Sequence, residues 1–298
     1  MSVARLEPPP IRIGASDIGV DADPGPFPWR QAVIVVCATV LALAGGFAVF
    51  VVALSGSVHD RAQTGLERQF SGRLAVGDAP VNQPIPTGDP VALLEVPAVG
   101  IREVVVEGTR PTQLTKGPGH LPVSALPGQA GVAVVLGRRI AFGAPFGRLD
   151  RLRPGDEIRS TTGQGTVRYR VARTRTAAAT DGTALTASGN ALLLVTSDPP
   201  GRANRRLIVE ARPAGRIAAP GRGSTAPVTA ADLGLAGDSG ALTPLLVALE
   251  LLAWVAVGLL FAIRRIDGSI VWLLGVPVVL AGAWIVFEQA ALLLPATF

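Results

Sequence analysis

Charged residues are scarce in this chain. Only 16% of its 298 residues are ionisable Asp, Glu, Lys or Arg, against 49% hydrophobic, whereas a soluble globular domain carries about 25% charged residues. A chain this apolar, with a mean hydropathy of +0.43, is not soluble along its whole length, and membrane segments are the first thing to seek. The same balance excludes a wholly disordered chain, which needs low hydrophobicity and high net charge. Cysteine is almost absent. The single Cys37 can form neither an internal disulfide nor a thiolate metal site, and no metal or cofactor is expected. Lysine too is nearly missing, with 26 arginines against Lys116 alone, and there is one tyrosine, Tyr169. The pI near 10.7 therefore comes without the basic clusters interleaved with aromatics that would point to nucleic acid.

Three long apolar runs are present. Residues 31–55 carry no charge; residues 241–263 are interrupted only by Glu250, and residues 269–295 only by Glu288. About 20 apolar residues cross the hydrocarbon core of a bilayer, so each run predicts a transmembrane helix. The first is too long and starts too far into the chain for a cleavable signal peptide. Short Arg-rich loops stay in the cytoplasm. Arg264 and Arg265 in the 264–268 loop, and Arg5, Arg12 and Arg30 in the 1–30 tail, therefore agree on one topology. The tail and the loop face the cytoplasm, and the stretch between the first and second spans lies outside. Trp29, Trp272 and Trp284 lie towards span ends, where amphipathic rings favour the interface. Cys37 falls within the first span as a small apolar filler.

The outer stretch divides by composition. Residues 56–90 read as a polar helical extension containing His59, followed by a tether with Pro80, Pro84, Pro86 and Pro90. Residues 213–240 read as a linker back to the membrane. Between them, residues 91–212 show short β runs punctuated by Gly and Pro. Val91 to Val96 and Val104 to Glu107 flank Pro97 and Gly100; Ala130 to Leu136 is apolar enough to be buried on both faces. Glu157 to Thr161 and Thr166 to Thr176 flank Gly163 and Gly165, and Ala191 to Thr196 and Leu207 to Glu210 follow. Val167, Tyr169 and Val171 alternate with Arg168, Arg170, Arg173 and Arg175, the period-two mark of a strand with one wet face. The predicted fold class is mainly β, an antiparallel barrel of about seven or eight strands beside three transmembrane helices.

The barrel carries ordered motifs: Val104-Val105-Val106-Glu107-Gly108-Thr109, Gly117-Pro118-Gly119-His120 with Pro122, Pro127-Gly128 and Gly131, and Gly137-Arg138-Arg139. Next come Gly143-Ala144-Pro145-Phe146, then Phe146, Leu149 and Leu152 ahead of Gly155-Asp156, then Leu193 to Ser197 and Arg206-Leu207-Ile208-Val209. Over about residues 94–212 this order resembles the sortases, membrane-anchored cysteine transpeptidases of Gram-positive cell envelopes, and looks most like the actinobacterial class E type. The resemblance implies a cysteine nucleophile at the end of a Thr-Leu-x-Thr-Cys strand, the histidine of a Gly-His-Arg segment, and an arginine on the last strand. Carried over, the cysteine position is Ser197 in Leu193-Leu194-Val195-Thr196-Ser197, the histidine position is Arg138, and the arginine is Arg206.

A thiol works because a neighbouring cation holds part of it as thiolate, whereas a serine hydroxyl needs a positioned base. Arg138 cannot be that base, because guanidinium stays protonated. The expectation is a sortase-like pseudoenzyme that serves as an extracytoplasmic binding or assembly module or an accessory subunit of an envelope membrane complex. Its partners would be other membrane subunits, with an envelope polymer or peptide as a further ligand. Two alternatives stay open. One is an active transpeptidase using Ser197, with His120 or Asp198 as base. The other is a transporter or envelope-machinery subunit whose main work lies in its helices. His120, Arg138, Arg206 and Asp198 are candidate groove residues: His120 either fixes its own loop by hydrogen bonds or lines the groove, and Arg138 and Arg206, with Asp198, are either salt-bridged into a plug or form a small anion site. The arginine stripe reads as a solvated face or a contact for anionic polymers. Glu250 and Glu288, at similar depth, either share a proton or meet another subunit.

Overall fold

The computed structural model describes residues 29–79, 85–202, 204–220, 232–234, 237–265 and 268–297. Arg5, Arg12, Pro80, Pro84, Asp267 and Phe298 lie outside the described residues, as does much of the 213–240 linker.

The apolar sequence Trp29–Val49 forms α1, which passes through a π-helical turn at Phe50–Leu54 into α2, Ser55–Ala75. Three segments are long and apolar enough to cross a membrane: Cys37–Ala75, Ser239–Ile263 and Ser269–Leu292. The sequence of α2 changes from apolar to amphipathic, and it buries His59, Leu66 and Phe70, residues spaced to share one helical face. Leu66 and Phe70 pack with Val104 and Val106 of the barrel. Gln63 completes the seam: its side chain accepts from the Val104 N–H at 2.8 Å and donates to the carbonyls of Val104 at 3.1 Å and Lys116 at 2.8 Å.

The barrel comprises β1 (Pro90–Val96), β2 (Ile101–Glu107), β3 (Gly119–His120), β4 (Val132–Leu136), β5 (Glu157–Thr162), β6 (Gly165–Ala178), β7 (Ala191–Ser197) and β8 (Arg205–Pro213). It closes in the order β1-β2-β3-β4-β7-β8-β6-β5. The β1–β2 hairpin turns at Gly100, whose φ of +73° suits glycine. The sequence suggests an antiparallel barrel, and the structure corrects this in part: β2 pairs β3 and β4 pairs β7 in parallel. The β4–β7 pair is joined by a long excursion containing β5 and β6, and such parallel strands are normally covered on both faces. Both faces of β7 are indeed buried. Leu192 and Leu194 point into the interior with Ala133, Val135, Val209 and Ala211. Leu193 and Val195 pack on the other side with Val134, Leu136, Ile208, Leu114, Leu185 and Ala296. An uninterrupted apolar run is the sequence form of such a strand.

A single helical turn, α3 (Pro111–Leu114), follows β2; after the barrel, helices α4 (Leu242–Ile263) and α5 (Gly268–Leu292) pack as an antiparallel hairpin, because Gly275 and Gly282 let α5 approach Leu259 and Leu252. Small residues at such a seam allow close helix packing in lipid.

The two-residue β3 escapes a sequence reading because tertiary contact makes it: Gly119 fits where a Cβ would strike the Gly108 carbonyl and come within 2.7 Å of Leu114 Cδ2. Gly119→Ala is expected to lower barrel stability by about 1–3 kcal/mol or more, read as lost hydrogen-exchange protection at β3 and β4; unchanged protection would contradict this packing.

Candidate functional site

The site forms where β7 ends. Ser197 lies opposite Arg206 in the antiparallel β7–β8 register. Gly137, just past β4, donates its N–H to the Val195 carbonyl at 3.0 Å and accepts from Thr196 Oγ1 at 2.8 Å. The Gly137-Arg138-Arg139 segment is thereby laid alongside the end of β7. Ser197, Arg138 and Arg206 are all buried, at 1%, 0% and 2% exposure. The Ser197 Oγ has no hydrogen-bond partner among the described residues.

Among the described residues neither arginine is paired with a carboxylate, and the unpartnered atoms named below are unpartnered among those residues. Arg138 stacks over the Phe142 ring at 4.8 Å and donates from Nη2 to the Pro111 carbonyl at 3.5 Å, while its Nε and Nη1 are without partners. Burial pulls its pKa down from the ordinary 12.5 to about 9, which still leaves it a cation at neutral pH. Arg206 donates from Nη2 to the Leu233 carbonyl at 2.9 Å, its Nη1 is unpartnered, and burial lowers its pKa against the opposing charge of Asp181. The expectation of a salt-bridged plug is therefore not met: carbonyl oxygens and a ring face, not carboxylates, hold these cations.

Asp198 lies 3.7 Å from Arg139, and the same guanidinium donates to the Ser197 carbonyl at 2.8 Å and approaches Asp150 at 3.5 Å. Arg139 thus fixes the Ser197 backbone and engages Asp198. His120 is also committed: Nδ1 donates to Glu107 Oε2 at 2.7 Å, and Nε2 lies 2.9 Å from the Ala125 carbonyl and 3.0 Å from Ser124 Oγ. His120 is opposite Glu107 on β2 and Val135 on β4, and it makes no hydrogen bond to Ser197.

Sequence reasoning missed Arg139, although it stands beside Arg138 in the same motif. It also missed the contact of this segment with the helices, which no local signal announces. Phe142 donates its N–H to Ser55 Oγ at 2.9 Å and packs with Phe50, Ala141 and Ala291. The Phe50 ring meets those of Phe142, Trp284 and Phe287 at 6.4, 5.1 and 6.0 Å. Phe142 adopts φ +51°, a left-handed conformation that a bulky residue holds only when its surroundings over-determine it. His59 lies against Gly143 and within 3.1 Å of Glu103.

The arginine stripe is largely structural. Arg173 and Arg212 grip the buried Glu210 at 2.8 and 2.6 Å, Arg175 donates to the Ala184 carbonyl at 2.6 Å, and Arg170 to the Gly155 carbonyl at 2.9 Å. In the helical hairpin, Glu288 accepts from Trp284 Nε1 on its own helix at 2.8 Å, while Glu250 is exposed on α4. The structure does not bring these two carboxyls together.

Residues 94–214 match the sortase domain family. This match covers the barrel domain. Sortase D of Bacillus subtilis strain 168 is 33% identical over 89 residues, which is 30% of this chain and 43% of that protein. The chain thus spans less than half of that relative's length. Among solved structures, a Clostridium perfringens sortase D5 transpeptidase is 25% identical with TM-score 0.44, covering 53% of this chain and 99% of the other. Sortase E from Streptomyces avermitilis is 29% identical with TM-score 0.40, covering 43% and 90%.

A buried cation without a carboxylate costs stability. Because the pKa of Arg138 is lower folded than unfolded, the unfolded chain binds more protons above pH 9, so its destabilising effect is full at neutral pH and fades above about 9. Arg138→Met is expected to raise the hydrogen-exchange free energy of β7 amides by about 1–4 kcal/mol at pH 7, with the gain shrinking towards pH 10–11. A loss of stability at pH 7 would contradict this.

Proposed function

We propose that this protein is a membrane-embedded pseudoenzyme of the sortase family, whose barrel works as an extracytoplasmic binding or assembly module. The observation that carries this reading is the state of Ser197. Its hydroxyl is buried without a partner among the described residues, while the imidazole of His120 and the carboxylate of Asp198 are engaged elsewhere. A serine becomes a useful nucleophile when a base stands within hydrogen-bond reach to take its proton. Ser197 takes the cysteine position of the family and Arg138 the histidine position. A guanidinium at that place can orient an anion or a carbonyl, but it neither accepts a proton from Ser197 nor delivers one to a leaving amine.

The full chain in detergent, incubated with sorting-signal peptides, is expected to give no cleavage and no covalent adduct by intact mass spectrometry. Peptide turnover abolished by Ser197→Ala would establish an active serine transpeptidase instead. Reinstating the family groups with Ser197→Cys and Arg138→His separates loss of chemistry from loss of the groove: peptide adducts would return only where the groove is still usable.

One observation favours the assembly role. The segment bearing Arg138 is clamped to the helices through Phe142, Phe50, Trp284 and Phe287, so the barrel is a docked cap and not a tethered domain. With the tail and the 264–268 loop inside, the barrel lies outside the membrane. Glu250 then stands on the lipid-facing side of α4, where an ionisable group is costly and normally meets a partner or a cavity. Mild-detergent purification should recover stoichiometric membrane partners, and Glu250→Gln should release at least one; a clean monomer insensitive to this change would remove the assembly role.

A further inference from the structure

The side of α4 that turns away from α5 carries a carboxylate in an otherwise apolar surface. Ala248 is buried, and Leu252 and Leu259 lie against Gly282 and Gly275 of α5, so these residues mark the seam of the hairpin. Glu250 is two positions from Ala248 and from Leu252, and at about 100° per residue it stands on the opposite side of the helix. Val247, Trp254, Val257 and Phe261 share that side at alternating spacings of three and four, and all are exposed, Trp254 by 66%. Such spacing lets one helix seat against another. Glu250 is itself exposed and has no ion pair among the described residues. At 1.5 Å per residue it stands about 12 Å along α4 from Leu242, inside the apolar segment Ser239–Ile263.

A charge in hydrocarbon is costly and is normally met by a partner. This chain has none to offer: residues 31–55, 241–263 and 269–295 contain no Lys, Arg or His, and Glu288 accepts from Trp284 of its own helix. A second copy, built from the same spans, would bring a like charge to the contact. Trp254 narrows the chemistry further. It follows Glu250 by four residues, one turn along the same face, so a cation held by the carboxylate comes within reach of an indole ring, the best aromatic surface for one. A guanidinium serves both groups, because its planar fork matches a carboxylate and its flat face stacks on a ring, whereas an ammonium is a compact point charge. We infer that the Glu250 face of α4 docks a membrane-spanning helix of a different protein, and that this helix carries an arginine at the depth of Glu250. The inference rests on the assembly role proposed above and names the chemistry of the partner.

The full chain carrying Cys37→Ser and Val247→Cys, labelled with a fluorophore at position 247 and reconstituted in phosphatidylcholine vesicles, reports on this face. The probes are leucine-rich transmembrane peptides bearing a quencher and differing in one residue of the outer half, which is arginine, lysine or leucine. The arginine peptide is expected to quench at about tenfold lower peptide-to-lipid ratio than the leucine peptide, with the lysine peptide weaker than arginine. Glu250→Gln should abolish the preference for arginine, and Trp254→Leu should remove the advantage of arginine over lysine. The comparison among peptides needs no variant at position 250, so it stands even where a substitution disturbs the hairpin. Equal quenching by the arginine and leucine peptides, or by arginine and lysine, would overturn the inference. So would Glu250-dependent self-quenching between labelled copies without peptide, which would assign the face to a second copy. Partners recovered from mild detergent together with no arginine preference would defeat this inference alone; an arginine preference together with a clean monomer would defeat the proposed role alone.

Discussion

Burial of two guanidinium groups, one on β8 and one just past β4, with no carboxylate paired to either among the described residues, is the constraint around which the rest of this structure is arranged. A cation taken out of water needs its lost hydration replaced. Here the replacement comes from carbonyl oxygens of Pro111 and Leu233 and from the face of Phe142. Each of those groups lies on a different part of the chain. The loop after β2, the segment before α4 and the loop after β4 each supply one of these groups to the two buried guanidiniums.

The loop after β4 also links the barrel to the apolar helices. Phe142 serves Arg138 on one side and the aromatic cluster of Phe50, Trp284 and Phe287 on the other, while its N–H is capped by Ser55. The π-helical turn at Phe50–Leu54 directs Phe50 and Val51 into this contact, and a local π-turn is often found where a helix serves a specific contact. The tail after α5 reaches the same region from another direction through Ala296 and Thr297, so the helical hairpin touches the site twice.

Much of the barrel was legible in the sequence because strand burial leaves a periodic trace. Tyr169 and Val171 alternate with arginines because one face of β6 is wet, and Ala191 to Thr196 is uniformly apolar because both faces of β7 are covered. The site was partly legible: Ser197 and Arg206 stand in recognisable motifs and face each other across one ladder, while the side chain of Arg138 goes to Phe142 and Pro111. His120 was legible as a residue but not as a role, since its partner Glu107 is met only when β3 lies parallel to β2. Glu250 and Glu288 looked like a pair from their depth alone, yet the rotation of each helix decides which way a side chain points. That rotation is set by the glycine seam against Leu252 and Leu259.

The sequence by itself determined the three apolar runs and the β character of the outer domain, because each follows from residue type and short-range order. Only the tertiary structure decided what surrounds the residues of the site. That Arg139 engages Asp198, that Arg206 rests on Leu233, and that Ala296 and Thr297 are buried against the barrel are contacts between segments far apart in the chain. Local pattern carries no record of such contacts, because their energy depends on where closure of the barrel and packing of the helices bring the segments.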